Sequence, residues 1–239
     1  MKFTLSISRR EVARIRAFFE TYRRDPFVRL RIDRNLRRKR PVVRREAVWK
    51  SLVVCLTTTQ QHSGPGSVVD RFEQTHPFPL AYGVCRKKRN LRSFASVKLK
   101  AGGLRRHQKI GEEVEKAFRL LEAGFWDELM TALRGLSKKA NRERERQVAE
   151  LIAGRLPGFG PKQSRNLIQA LGLSRYEIPI DSRVTKWLNR YGFPFPVSAT
   201  ALADAGYYGF VLDCFQAVCK QARILPCVLD AAIFAAGGR

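Results

Sequence analysis

Between Leu156 and Lys162 the chain reads Leu-Pro-Gly-Phe-Gly-Pro-Lys. Few folds accommodate such a run. Gly158 and Gly160, one residue apart, permit a tight corner, and Pro161 suits the first position of a following helix. Apolar residues at Leu156, Leu167 and Ile168 would pack the two helices of the corner together. A second constraint follows 19 residues after Lys162, where Ile-Pro-Ile-Asp-Ser-Arg places Asp181 at the start of another helix, Ser182–Asn189. Pro179 keeps the backbone before that aspartate extended.

The remainder reads as mostly α. Ser8 and Glu11 form a capping box ahead of Val12, Ile15, Phe19 and Tyr22, predicting a first helix over 8–24. Residues 45–59 are almost wholly apolar, the pattern of a central core helix, and run into Thr57–Gly66. Gly64-Pro65-Gly66 ends that helix, and Ser67 begins the next. Helical spacing resumes from about 104, is interrupted at Gly124, and continues through 141–154. Two further helices follow around 207–219 and from Pro226 through Phe234. Only residues 26–44 carry β-prone segments, so a minor β content is expected there. The expected organisation is a basic N-terminal segment (1–45) packing on a C-terminal lobe, a central helical lobe (46–154), and the corner with the C-terminal helices (155–239).

Charge narrows the partner. The chain carries 46 Lys+Arg against 21 Asp+Glu, a net charge of +25 over 239 residues. An excess of that size favours a polyanion, and nucleic acid leads because phosphate neutralisation dominates such binding. Residues 1–50 hold 17 basic and 5 acidic side chains, with a dense run at Arg34–Arg40 that reads as a solvated loop or a DNA-facing edge. Residues 81–107 hold nine Lys/Arg and no acid. The sequence has no apolar run near the roughly 20 residues of a spanning helix and no signal-peptide pattern. Cys55, Cys85, Cys214, Cys219 and Cys227 are sparse and lie in apolar surroundings, as reduced core residues of an intracellular protein would.

The corner and the two polar residues each have an ordinary and a chemical reading. A glycine corner is a common helix junction, yet its outward amides at a helix N-terminus also cradle phosphate oxygens. Lys162 reads either as a surface cation touching DNA or as an amine. On the first helical turn the ammonium form loses favour, and a neutral amine is a nucleophile. Asp181 reads as an N-cap or as a carboxylate serving that amine.

Taken together, Leu156, Pro157, Gly158, Gly160, Lys162 and Asp181 match a hairpin Leu-Pro-Gly-x-Gly-x-Lys followed by an aspartate. In this the chain resembles the helix-hairpin-helix (HhH-GPD) DNA glycosylase superfamily, most closely its 8-oxoguanine DNA glycosylase/AP lyase branches. The likeness is strong over 148–191 and looser over 45–230. It implies a two-lobed helical fold with a DNA cleft between the lobes. It also implies base flipping, attack by Lys162 on C1′, a Schiff base and β-elimination, with Asp181 assisting. By the same resemblance Gly158, Phe159, Gly160 and Gln163 would hold phosphates, and Gln60, Gln61 and His62 would fill the gap left by the flipped base. The run Arg165–Gly172 looks like the 8-oxoguanine branch.

Pro179, Phe215 and Gln216 are candidates for the base pocket, the last two from the 207–219 helix. Neither an iron–sulfur nor a zinc spacing is present, so no metal and no cofactor are expected. The implied partner is double-stranded DNA with a damaged base, bound by a monomer. The alternatives are the same fold acting on an oxidised pyrimidine or alkylated purine, and a DNA-binding module without catalysis.

Overall fold

The computed structural model describes residues 6–37, 41, 43–191, 193 and 195–237. Helices run in the order α1 (Arg9–Tyr22), α2 (Pro26–Ile32), α3 (Arg45–Thr57), α4 (Val68–Gln74), α5 (Tyr82–Cys85) and α6 (Leu91–Ala101). They continue with α7 (His107–Leu120), α8 (Trp126–Lys138), α9 (Arg142–Arg155), α10 (Pro161–Ala170), α11 (Ser182–Arg190), α12 (Ala205–Ala222) and α13 (Pro226–Gly237). No strand occurs among the described residues.

The capping box at α1 forms as its sequence dictates, with Ser8 and Glu11 each satisfying the other's backbone N–H. The expected β content at 26–44 is corrected: Pro26–Ile32 is helical and runs on as a π-helical turn, Asp33–Arg37. Asp25 caps α2 by accepting the N–H of Phe27 at 2.8 Å, and Pro26 presets the first turn. Burial shows why the β reading fails. In the run Val28-Arg29-Leu30-Arg31-Ile32 an alternating strand would bury Leu30, yet Leu30 is 57% exposed and Arg31 only 6%. The buried face has helical spacing and is set by packing against α13. Arg38–Arg40, the end of the basic run, lie outside the described residues.

Two apolar clusters organise the chain. The first centres on α3, whose Val48, Trp49, Leu52, Val53 and Leu56 are fully buried. Around it pack α4 and α6 to α9, with Leu167 and Ile168 of α10. Trp49 keeps its one polar atom satisfied by donating to the Leu80 carbonyl at 2.8 Å. The second cluster joins Ile178, Ile180, α11, α12 and α13 to Ile15 and Val28 of the N-terminal helices. Gly124 breaks the pattern as expected, with φ +112°, inside a π-helical turn between α7 and α8.

The segment 171–181 links the two clusters, and buried polar groups fasten it. Glu145 on α9 is fully buried and accepts the N–H groups of Arg175 at 3.0 Å, Tyr176 at 2.7 Å and Glu177 at 2.9 Å. Glu177, also fully buried, is held by Arg165 at 2.9 Å and by Arg146 at 3.2 Å. Tyr208 on α12 donates to Ile178 O at 2.9 Å and accepts from Ile180 N at 2.7 Å. These contacts fix the residues immediately before Asp181. Replacing Glu145 by Gln turns an amide NH2 toward amide donors and is expected to destabilise the fold by about 1–3 kcal/mol, measured by urea unfolding.

Candidate active site

The corner between α9 and α10 is built as its glycines suggest, but the two are not equivalent. Gly158 has φ +78°, and a Cβ there would lie 2.7 Å from Leu56 Cδ2 and 2.9 Å from Glu113 Oε2. Both the backbone and the close approach of α3 and α7 exclude a side chain. Gly160 is extended, φ −98° and ψ −168°, and a Cβ there would meet nothing. The absence of a side chain at Gly160 therefore keeps the start of α10 open rather than permitting the turn. Gly158→Ala is expected to cost about 1–3 kcal/mol of stability, read as a lowered Tm. Gly160→Ala should leave Tm nearly unchanged.

The N-terminus of α10 has no side-chain cap, so the amides of its first turn face outward without a side-chain acceptor. Two side chains of the expected phosphate-binding set are turned into the protein. Phe159 is buried in the first cluster, and its N–H donates to Leu156 O at 3.1 Å, so neither is available to a ligand. The Gln163 side chain is also buried. It donates to Thr58 Oγ1 at 3.1 Å and Thr59 Oγ1 at 2.9 Å, tying α10 to the end of α3. What Gln163 offers outward is its backbone amide.

Lys162 and Asp181, distant in sequence, line the same space. An inner cavity of about 230 Å³ is bounded by Phe27, Arg31, Cys55, Lys162, Asp230 and Phe234 among others. It adjoins an outer groove of about 1250 Å³ to which Gln60, Gln61, His62, Arg105, Asp181 and Arg183 contribute. Lys162, Asp181, Arg183, Phe27 and Phe234 border both, so they stand at the mouth of the cavity. Burial pulls the Lys162 amine below the ordinary lysine range. Asp181 opposes that pull, and Arg183 adds to it. Cys55 in the cavity wall is pushed up to about 12 by burial and stays a thiol, no rival to the lysine.

Asp181 caps α11 and does more. Its Oδ1 accepts Arg183 N at 2.8 Å and Val184 N at 3.2 Å, while its Oδ2 accepts the Arg183 guanidinium. Pro179 lines the inner cavity. Gln60 has φ +57° and borders the groove. Gln61 reaches back to Thr57 O and accepts Arg105 N at 3.1 Å, and the His62 ring lies against Gly64. All three residues therefore edge the groove.

Two pocket candidates are corrected. Phe215 is fully buried in the second cluster, edge-on to Trp187 at 6.3 Å, and is a core residue. Gln216 donates to Tyr176 O at 3.0 Å and borders a different cavity, beside Arg142 and Asp213. Helix α12 serves to pin 178–180 through Tyr208 instead.

The cavity floor comes from residues the sequence reading missed. Asp230 on α13 accepts from Arg31 Nη1 and Gln169 Nε2, both at 3.0 Å, and all three are buried. Asp230 had a signal: it is the single charged residue within the apolar run of α13. Arg31 had none, being one among many N-terminal arginines. Phe27 and Phe234 stack at 4.3 Å with an interplanar angle of 17°. Burial also pushes Arg34, in the same wall, down to about 10. Among the described residues no cluster of three or more His, Cys, Asp or Glu is placed to hold a metal. All five cysteines are buried and unbridged.

No family model matches the chain, and no curated protein matches its sequence. Solved structures do. The 8-oxoguanine DNA glycosylase of Thermotoga maritima, Tm1821, superposes with a TM-score of 0.72 at 16% identity, covering 94% of this chain and 96% of its own. The 8-oxoguanine DNA glycosylase of Methanocaldococcus jannaschii gives a TM-score of 0.69 at 15% identity, over 97% of both chains. The M. jannaschii 8-oxoguanine glycosylase/lyase in complex with a 15mer DNA containing 8-oxoguanine gives 0.70 at 16%, over 95% of this chain and 98% of the other. The chain has the two-lobed helical fold of solved 8-oxoguanine DNA glycosylases.

Proposed function

We propose that this protein is a DNA glycosylase with AP lyase activity that excises an oxidised purine, 8-oxoguanine, from duplex DNA. One observation carries the reading: a half-buried lysine of lowered proton affinity and a carboxylate share the mouth of a cavity. That cavity adjoins a groove of about 1250 Å³, in a fold shared with solved 8-oxoguanine glycosylases. The exposed cations of residues 86–106, Arg105 among them, and the uncapped start of α10 supply the phosphate contacts.

In this scheme the damaged nucleotide leaves the stack and its base enters the inner cavity. Neutral Lys162 attacks C1′ and the glycosidic bond breaks, its electron pair leaving with the base, which takes up a proton. Asp181 stabilises the positive charge that develops on the sugar. The sugar ring then opens to a Schiff base on Lys162. Loss of a C2′ proton expels the 3′ phosphate and nicks the strand. The protein works on DNA as a monomer, in whichever compartment holds the DNA. No described helix is long and apolar enough to cross a membrane.

The test is borohydride trapping on two duplexes, one with 8-oxoguanine opposite cytosine and one with a pre-formed abasic site. A covalent adduct on both supports the full scheme. An adduct on the abasic duplex alone keeps the lyase and rejects the base. No adduct on either rejects the enzyme and leaves a DNA-binding module.

A further inference from the structure

The Arg183 guanidinium is shared between two groups that the proposed chemistry needs free. It donates to Asp181 Oδ2 through Nε at 2.8 Å and also through Nη2. Because Oδ1 already accepts two backbone amides, both carboxylate oxygens are engaged with α11 and neither is left for the lysine. The same guanidinium lies 4.0 Å from the centroid of the Phe234 ring. Phe27 stacks on that ring at 4.3 Å. Two planar groups at such distances cannot occupy one face, so Phe234 is covered on both. Phe234 nonetheless borders both the inner cavity and the groove, where an extrahelical ring would seek an aromatic surface.

We propose that Arg183 is a positioning residue that couples base entry to release of Asp181. In the free protein it neutralises Asp181 and occupies the open face of Phe234. An incoming base ring takes that face, the guanidinium withdraws, and Asp181 becomes free to accept the Lys162 proton and to face the sugar. This rests on the glycosylase reading. The electrostatics agree: Arg183 and Asp181 act on Lys162 with opposite signs, so the guanidinium shields the amine from the carboxylate.

The shielding is tested on the free protein, without DNA. Acetic anhydride labelling of Lys162, followed by mass spectrometry across a pH series, reads the protonation midpoint of its amine. Arg183→Met should move that midpoint to higher pH, since Asp181 then acts uncompensated. Adding Asp181→Asn should reverse the shift, and Arg183→Lys, which keeps the cation, should show less of it. An unmoved midpoint in Arg183→Met overturns the coupling.

Base entry is tested by fluorescence anisotropy with three duplexes: one carrying a cleavage-resistant 2′-fluoro 8-oxoguanosine, one carrying a stable abasic analogue, and one undamaged. Arg183→Met should bind the first several-fold tighter relative to the other two. Equal weakening on all three would mark Arg183 as a phosphate-binding cation and overturn the shared-face part. If the wild type neither traps nor prefers the damaged duplex, the glycosylase reading falls. The labelling midpoint then still decides the link between Arg183 and Asp181.

Discussion

Lys162→Gln is expected to abolish covalent trapping while leaving most DNA affinity intact. Glutamine cannot form an imine, and loss of the nucleophile in a covalent mechanism removes on the order of 10³-fold or more of the rate. The outward amides of α10 and the cations of the groove are untouched, so the salt slope of binding should fall by about one unit at most. Residual base release without an adduct would mean that water attacks C1′ and that the lysine serves only the lyase step. The pH profile supplies a second check. Attack requires the neutral amine, so the trapping rate rises with pH and levels off above the Lys162 pKa. Burial sets that pKa below the ordinary lysine range, and the plateau should therefore arrive earlier than for an exposed lysine. A profile still climbing through the ordinary lysine range would contradict the buried placement.

The second large effect concerns stability. Arg31→Met should destabilise the protein by about 3–5 kcal/mol at neutral pH, because it strands Asp230 as a buried carboxylate with only Gln169 for a partner. The same loss should deform the floor of the inner cavity. Its pH dependence has a definite sign. Burial raises the Asp230 pKa above the carboxylate's ordinary value even with Arg31 in place. The folded state thus holds its proton to higher pH than the unfolded chain, and the destabilisation appears as pH rises through that interval. Without Arg31 the folded pKa climbs further, so the Tm deficit of the variant should shrink as the pH is lowered toward 5. Arg31→Met/Asp230→Leu, which removes both charges, should recover most of the loss. Equal Tm deficits at pH 5 and pH 8 would show that the missing arginine matters through packing alone.

How much was legible varied by residue, for physical reasons. The capping box at Ser8, the all-round apolar α3, the break at Gly124 and the turn at Gly158 show in local pattern, whereas the close approach of Leu56 and Glu113 to Gly158 does not. The side-chain directions of Phe159, Gln163, Phe215 and Gln216 were not legible, because which way a side chain turns depends on what its segment packs against. Residues 26–37 misled more deeply. Their letters alternate, yet packing against α13 exposes Leu30 and buries Arg31.

By itself the sequence determined a mostly helical chain, a polyanion-seeking charge and a tight glycine corner, and its resemblance pointed to Lys162 and Asp181. The first three are carried by spacing or composition, which need no partner element, and the last rests on the match to the hairpin motif. Tertiary structure alone decided that those two residues border one cavity mouth and that the Arg183 guanidinium, bound to Asp181, lies against Phe234 there. It also decided that the floor beneath is an arginine from the second helix paired with an aspartate from the last, 199 positions apart. A buried ion pair between such distant positions leaves no periodic trace in the chain. It exists only because α2 and α13 pack together, and the energy of leaving either charge unpaired holds that packing in register.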